Sequence, residues 1–298
     1  MENIKISVIV PTYNRLELLQ KQVHALLNQT LPSHQYEILI VNDGSRDGTK
    51  EYLNILQKDH SNFWVFHNQN GGPARARNTA LGVAKGKVIA FTDDDCEVDK
   101  NWLATILHEF HDGVVGLQGL TFTDRKSVTP LTHQIDNETG HNSIPTCNAA
   151  YLRNLLHEIG GFDETFPYPH NEDADVGWQM QERGEVKFCQ NMRVYHPPRI
   201  DKFRKVAKRM SILESEFTLY RKNPSLYKKY RDKNPLKHIY CQVFVKNMWY
   251  YMYSRLRYWR TPKLMLQGFV LTIIWYIDLI LKYPKYKMLY RMLKEPNK

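Results

Sequence analysis

Apolar residues in the first hundred positions gather into short runs: ISVIV at 6–10, YEILIV at 36–41, FWVFH at 63–67 and KVIAF at 87–91. Runs with so little polar alternation are the mark of strands covered on both faces, as in a parallel sheet. Between them the spacing changes to a helical period. RLELLQKQVHALLNQ (15–29) sets Leu16, Leu19, Val23 and Leu26 on one face, and DGTKEYLNILQ (47–57) does the same with Tyr52, Leu53, Ile55 and Leu56. This β-α-β-α-β-α-β order predicts an α/β fold, a doubly wound, mostly parallel sheet with helices on both faces.

Past residue 110 the pattern is less regular. GVVGLQGLTFT (113–123) reads as a further strand and 124–145 as a flexible polar loop. PTCNAAYLRNLLHEIGGFDETF (145–166) contains a short helix stopped by Gly160 and Gly161. NEDADVGWQMQERG (171–184) predicts a helix with acidic residues in its opening turn and Gly184 after its end; EVKFCQNMRVYHPP (185–198) predicts a strand and then a loop. Polar clusters fall where a doubly wound sheet binds its ligands, beyond the carboxyl ends of the strands. PTYNR (11–15), NDGSRDG (42–48) and TDDD (92–95) each follow a predicted strand. NGGPARARN (70–78) reads as a loop entering a helix, with Arg75 and Arg77 in its first turns.

Charge divides the chain in two. Residues 1–200 carry 18 Lys and Arg against 25 Asp and Glu, whereas 201–298 carry 23 against 6 and hold 19 of the 36 aromatic residues. So basic and aromatic a region predicts an anionic partner, a membrane surface or nucleic acid. With 42% hydrophobic and 24% charged residues, the whole excludes global disorder. Cys96, Cys147, Cys189 and Cys241 lie far apart without metal-ligand spacing, which predicts ordinary packing in a reducing compartment. The start, MENIKISVIVPTYN, passes into a strand-like run without the pattern of an export signal.

Asp93, Asp94 and Asp95 follow the apolar run Val88, Ile89, Ala90, Phe91, so three like charges sit at the end of a buried strand. A hard divalent cation, Mg²⁺ or Mn²⁺, offsets such repulsion with oxygen ligands and completes its shell with water and substrate phosphates. On an extended segment Asp93 and Asp95 share a side, with Asp94 turned elsewhere. A nucleotide diphosphate is the natural companion of that arrangement.

Together, VIVPTYNR, ILIVNDGSRDGT, NGGPARARNTALGVAKGKVIAFTDDD, GGFDE and NEDADVGWQMQERG resemble the nucleotide-sugar-dependent glycosyltransferases of family 2, over about residues 4–200. The resemblance implies a GT-A fold, Rossmann-like, with a nucleotide-binding half (about 1–98) and an acceptor half (99–200), followed here by a basic aromatic helical region (201–298). In family terms Pro11, Thr12, Tyr13 and Asn14 line the nucleotide pocket and Asp43 hydrogen-bonds the base. Arg77, with the neighbouring Arg75 as the alternative, contacts the nucleotide. Asp93 and Asp94 belong to the nucleotide-sugar site, and Asp95, Asp93 and His196 to the metal, Mn²⁺ or Mg²⁺. Asp173 becomes the general base, with Glu172 beside it touching acceptor, and Asn148 lies on the acceptor side. His141 and His170 are weaker candidates for the metal. The implied reaction is inverting transfer from a nucleotide-diphosphate sugar, a UDP-sugar favoured, to a saccharide or lipid-linked acceptor in bacterial surface polysaccharide or glycolipid synthesis.

In the tail, Leu264 to Tyr283 is mostly apolar but interrupted by Gln267 and Asp278. An interfacial helical hairpin on an anionic membrane surface fits this pattern, placing the protein in the cytoplasm against the inner face of the cell membrane. A membrane-spanning helix and a homo-oligomer contact are the alternatives. Two other functional classes are a nucleotidyltransferase acting on sugar phosphates and a non-catalytic nucleic-acid-binding protein; the latter leaves both acidic clusters unexplained.

Overall fold

A computed structural model describes residues 4–231 and 233–294. They form two compact units. One comprises 4–123, 135–165 and 172–197; the other comprises 124–134, 166–171 and 198–294. Two short segments from within the expected catalytic region therefore belong with the C-terminal helices.

The first unit is built on eight strands: β1 (Ile6–Thr12), β2 (Tyr36–Asn42), β3 (Phe63–His67), β4 (Val88–Thr92), β5 (Glu97–Val98), β6 (Val114–Phe122), β8 (Asn148–Leu152) and β9 (Glu185–Tyr195), with β7 (Thr132–His133) in the other unit. Their order is β3-β2-β1-β4-β8-β6-β9-β5. The first four run parallel, as the apolar runs predict, and every residue of β1, β2 and β4 is buried. At the edge, Phe63 is the one fully buried residue of β3 and Trp64 is 42% exposed, so its apolar run overstates its burial. The helix above it, α2 (Thr49–Asp59) after α1 (Leu16–Leu27), buries Leu53 but leaves Ile55 61% exposed.

Beyond β4 the sheet becomes mixed. β8 pairs antiparallel with both β4 and β6, while β9 pairs parallel with β6. The segment expected to hold only a short helix supplies this central strand before α5 (Arg153–Glu158), which follows α3 (Pro73–Leu81) and α4 (Trp102–Glu109). Pro11 helps to end the β1–β4 ladder: pairing stops at Ile9 and Phe91, and a proline offers no N–H to extend it. The aspartates after β4 are thereby released from the sheet. α6 (Glu172–Gln181) closes the unit, burying Ala174, Val176, Trp178 and Met180.

The second unit pairs β7 with β10 (Arg199–Ile200) inside the segment read as a polar loop and its sequel. Its helices are α7 (Phe203–Lys208), α8 (Ser215–Lys222), α9 (Pro224–Tyr230) and α10 (Pro235–Lys237), a π-helical stretch at His238–Lys246, α11 (Asn247–Leu256) and α12 (Pro262–Lys294). Phe217, Ile239, Leu279 and Tyr286 form its core. α11 and α12 pack as a hairpin, with Tyr251 edge-on to Trp275 at 5.0 Å between ring centroids.

Candidate functional site

The loops leaving β1, β2 and β4 meet at the strands' carboxyl ends. After β1, Asn14 takes a left-handed conformation (φ 52°), and its side chain accepts from the Arg46 amide at 2.7 Å, tying this loop to the one after β2. Pro11 and Thr12 are buried, while Tyr13 is 47% exposed. Asp43, at the end of β2, accepts from the Gly71 and Gly72 amides at 2.9 and 2.8 Å. Gly72 has φ 90°, a backbone that side chains rarely adopt, and the chain turns there into Pro73 at the start of α3. Asp43 thus shapes the glycine loop that opens this helix.

α3 separates its two arginines. Arg75 is exposed, whereas Arg77 is only 4% exposed and lies over the Phe162 ring. Arg77 Nη2 donates to Asp93 Oδ1 at 3.0 Å, and Nη1 to Glu172 Oε1 at 3.2 Å. One buried guanidinium therefore joins the acidic tip of β4 to the acidic start of α6.

The three aspartates are not arranged as alternation predicts. The Cys96 amide closes a turn onto the Asp93 carbonyl at 3.2 Å, so the segment is no longer extended. Asp94 and Asp95, not Asp93 and Asp95, share a partner: Arg15 Nη1 lies 2.6 Å from Asp94 Oδ1 and 3.1 Å from Asp95 Oδ2. Repulsion is thus offset by two arginines within the fold itself. Burial pushes the Asp94 carboxyl up to about 6, helped by Asp95 and opposed by Arg15. Burial disfavours the Arg15 charge, but the neighbouring carboxylates outweigh it and hold that guanidinium protonated.

His196, at the end of β9 and almost fully buried, brings Nε2 to 3.7 Å from Asp95 Oδ1. Asp95, Cys96 and His196 each present a donor atom within 4.8 Å of the others. A carboxylate oxygen with an imidazole nitrogen at that spacing fits a divalent cation such as Mn²⁺, so the residues present suit the metal expected from the aspartates. Asp93 is outside this cluster, and His141 and His170 are not among its members.

Glu172 is buried, and burial raises its carboxyl while Arg77 opposes the rise. Asp173 keeps part of its surface open and accepts from the Ala174 amide at 2.8 Å; burial, then the neighbouring Glu172, push it up to about 7. Tyr151 of β8 buries a hydroxyl with no hydrogen-bond partner, and its ionisation is suppressed by burial and by the Asp173 charge. The amide of Asn148 is taken up inside the fold: it accepts from Trp102 Nε1 at 2.9 Å and donates to the Leu120 and Met192 carbonyls at 3.1 and 2.9 Å. With these three bonds it braces β8, β6 and β9. Arg15 and Tyr151 carry no sequence signal beyond their place next to a strand end and within an apolar run.

Residues 7–163 match the family model described as Glycosyl transferase family 2. Glycosyltransferase AglE of Haloferax volcanii is 29% identical over 204 residues, 65% of this chain and 67% of that one. The GalNAc(5)-diNAcBac-PP-undecaprenol beta-1,3-glucosyltransferase of Campylobacter jejuni is 38% identical over 117 residues, 39% of this chain and 37% of its own length. The match thus spans about two thirds of the first relative and under two fifths of the second. Among solved structures, mannosyltransferase PcManGT from Pyrobaculum calidifontis, in complex with GDP-Man and Mn²⁺, shares the fold with a TM-score of 0.61 at 18% identity, over 97% of this chain and 84% of that one. The family match decides for glycosyl over nucleotidyl transfer. Since it covers more than half of the chain and includes the glycine loop and the acidic tip of β4, the chain belongs to glycosyl transferase family 2 and is a glycosyltransferase.

Proposed function

We propose that this glycosyltransferase is inverting and metal-dependent, moving a sugar from a nucleotide-diphosphate sugar, a UDP-sugar by preference, to a hydroxyl of a saccharide or lipid-linked acceptor in bacterial cell-surface polysaccharide or glycolipid synthesis. The observation that carries this reading is Arg77, which holds Asp93 and Glu172 on one side chain and so ties the donor-side acids to the acceptor-side acids. A solved structure of the same fold supplies analogy for a nucleotide-diphosphate sugar bound with a divalent cation: PcManGT holds GDP-Man with Mn²⁺.

Each role follows from local chemistry. Tyr13 offers an exposed ring for a base to stack on, and Asp43 retains lone pairs for an N–H of the base after accepting from the glycine loop. Asp95 and His196 would hold a divalent cation, which would supply Lewis-acid stabilisation of the departing diphosphate. Arg15 balances the Asp94 and Asp95 charges. Asp173 takes the proton of the acceptor hydroxyl as it attacks opposite the leaving group, which inverts the anomeric centre. A carboxyl pushed up to about 7 is well matched to that work near neutral pH, and the buried neighbour Glu172 favours the proton once it arrives. Transfer lost in Asp173→Asn with metal-dependent donor binding kept supports the assignment; equal loss of both refutes it.

The second unit supports attachment to an anionic membrane surface on the cytoplasmic side. α12 is long and apolar enough to cross a bilayer, yet Asp278 sits within it, paired to Lys282 at 2.6 Å. Ile273, Ile277, Ile280 and Leu281 of α12, with Trp249, Tyr253 and Trp259 from α11 and the turn, are exposed in a region dense in Lys and Arg. Apolar residues and interfacial aromatics beside cations suit a helical hairpin lying on lipid head groups. A membrane-bound acceptor fits such an attachment; the Campylobacter relative is named for an undecaprenol-linked substrate.

A further inference from the structure

Asn171 directly precedes Glu172 and Asp173 in the chain but belongs to the helical unit rather than to the sheet unit. It is buried and stands in a left-handed conformation (φ 74°). An Asn at such a point commonly turns its side chain onto the opening amides of the helix that follows. Here it is spent elsewhere. Its Nδ2 donates to Glu216 Oε1 at 2.9 Å and to Ser215 Oγ at 3.2 Å, and its Oδ1 accepts from Arg231 Nη2 at 3.2 Å. The preceding His170 meets the same Ser215 Oγ through Nδ1 at 2.7 Å. Since the Ser215 hydroxyl donates to the Ile212 carbonyl at 2.6 Å, the His170 nitrogen must be the donor.

We propose that Glu216, with Ser215 and Arg231, is a positioning residue for glycosyl transfer: it fixes Asn171 and thereby sets where the next two residues, Glu172 and Asp173, stand. The clamp is anchored firmly. Glu216 is buried, its second oxygen accepts from the Tyr227 hydroxyl at 2.8 Å, and the adjacent Phe217 packs on Tyr286 of α12 at 5.2 Å. Burial disfavours a charge on Glu216, but Arg231 and His238 outweigh it and favour the carboxylate. A buried carboxylate with a cation, a phenol and an amide on its two oxygens is a fixed point, and the backbone at Asn171 is held against it. The inference rests on the reading of Asp173 as the base.

The test uses the full chain. Glu216→Ala should lower kcat by about tenfold to a hundredfold, because misplacing a catalytic group by about 1 Å costs that much, while donor KM stays within about twofold. Glu216→Gln, which keeps an acceptor for Asn171, should retain most of the activity. Hydrogen exchange of the backbone amides of 172–176 should be faster in Glu216→Ala than in the parent. Asn171→Gly accepts the same backbone conformation without the side-chain clamp, and should show the same kcat loss if Glu216→Ala fails to fold. A folded Glu216→Ala or Asn171→Gly protein with parental kcat, or with unchanged exchange at 172–176, overturns the proposal. Exchange does not depend on which carboxylate takes the proton. If Asp173→Asn keeps transfer, the base assignment falls, and the clamp is still judged by exchange and kcat.

Discussion

Replacing Asp173 by Asn should stabilise the protein at the pH where it abolishes catalysis. The folded protein pushes this carboxyl up to about 7, whereas an unfolded Asp titrates near about 3.9. The sign follows from the direction: the stability tied to holding the proton is fully present below about pH 4 and is lost as pH rises through about 7. Parental protein at pH 8 therefore carries an ionised carboxylate that its surroundings disfavour, and Asn does not. About three pH units at about 1.4 kcal/mol each set a ceiling near 4 kcal/mol. Partial exposure screens the charge and the neighbouring Glu172 shares the burden, so about 1–3 kcal/mol is expected. For a protein of this size that is a rise in Tm of about 2 to 10 °C at pH 8. Thermal unfolding of both proteins from pH 4.5 to pH 8.5 reads it. The advantage should shrink steadily on acidification. A variant no more stable than its parent at pH 8, or an advantage independent of pH, would refute the reasoning.

Arg77→Met strands Asp93 and Glu172 and should cost about 3–5 kcal/mol at pH 8, as breaking buried pairs does; because the Glu172 carboxyl is already raised, the deficit should narrow toward pH 5, and a constant deficit in thermal scans would contradict the pairing. Asp95→Ala should remove most of the gain that Mn²⁺ brings to UDP binding in calorimetry; an undiminished gain removes Asp95 from the cation site. Asn148→Ala should lower stability by about 2–4 kcal/mol, three hydrogen bonds' worth, with little change in donor affinity. The full chain should sediment with phosphatidylglycerol vesicles at low salt and release as salt rises, and Trp249→Ser with Trp259→Ser should weaken binding about tenfold; no sedimentation at low salt would refute the membrane reading.

What could be read in advance follows the range of the interactions. β1, β2 and β4 are central strands, so their apolar runs report true burial, while β3 lies at the edge and the same kind of run misleads. β8 was legible only as chain entering a helix, because its place is fixed by pairing Thr92 with Asn148 across more than fifty residues. The acidic tip announced itself as charge behind a buried run. Its ligand geometry did not, since a turn at Asp94 replaces the alternation of an extended segment. Arg75 and Arg77 are about 200° apart around a helix, so one of them at most faces the site, and only packing against Phe162 selects Arg77. Arg15 looks like the polar opening of a helix until the fold brings Asp94 and Asp95 to it.

The reversed direction of β8 has a bearing on how such an enzyme can diversify. Its first residue, Asn148, stands beside the last residue of β4, so the stretch 137–147 is delivered to the same rim as the acidic tip. Within it residues 138–143 lie toward the surface while Asn137, Ile144, Thr146 and Cys147 are buried, so side-chain changes confined to 138–143 leave the core and the parallel ladders of β1, β2 and β3 as they are. Exchanging these surface side chains alone is therefore a direct way to ask whether that part of the rim governs acceptor choice, with the strands on the other side undisturbed.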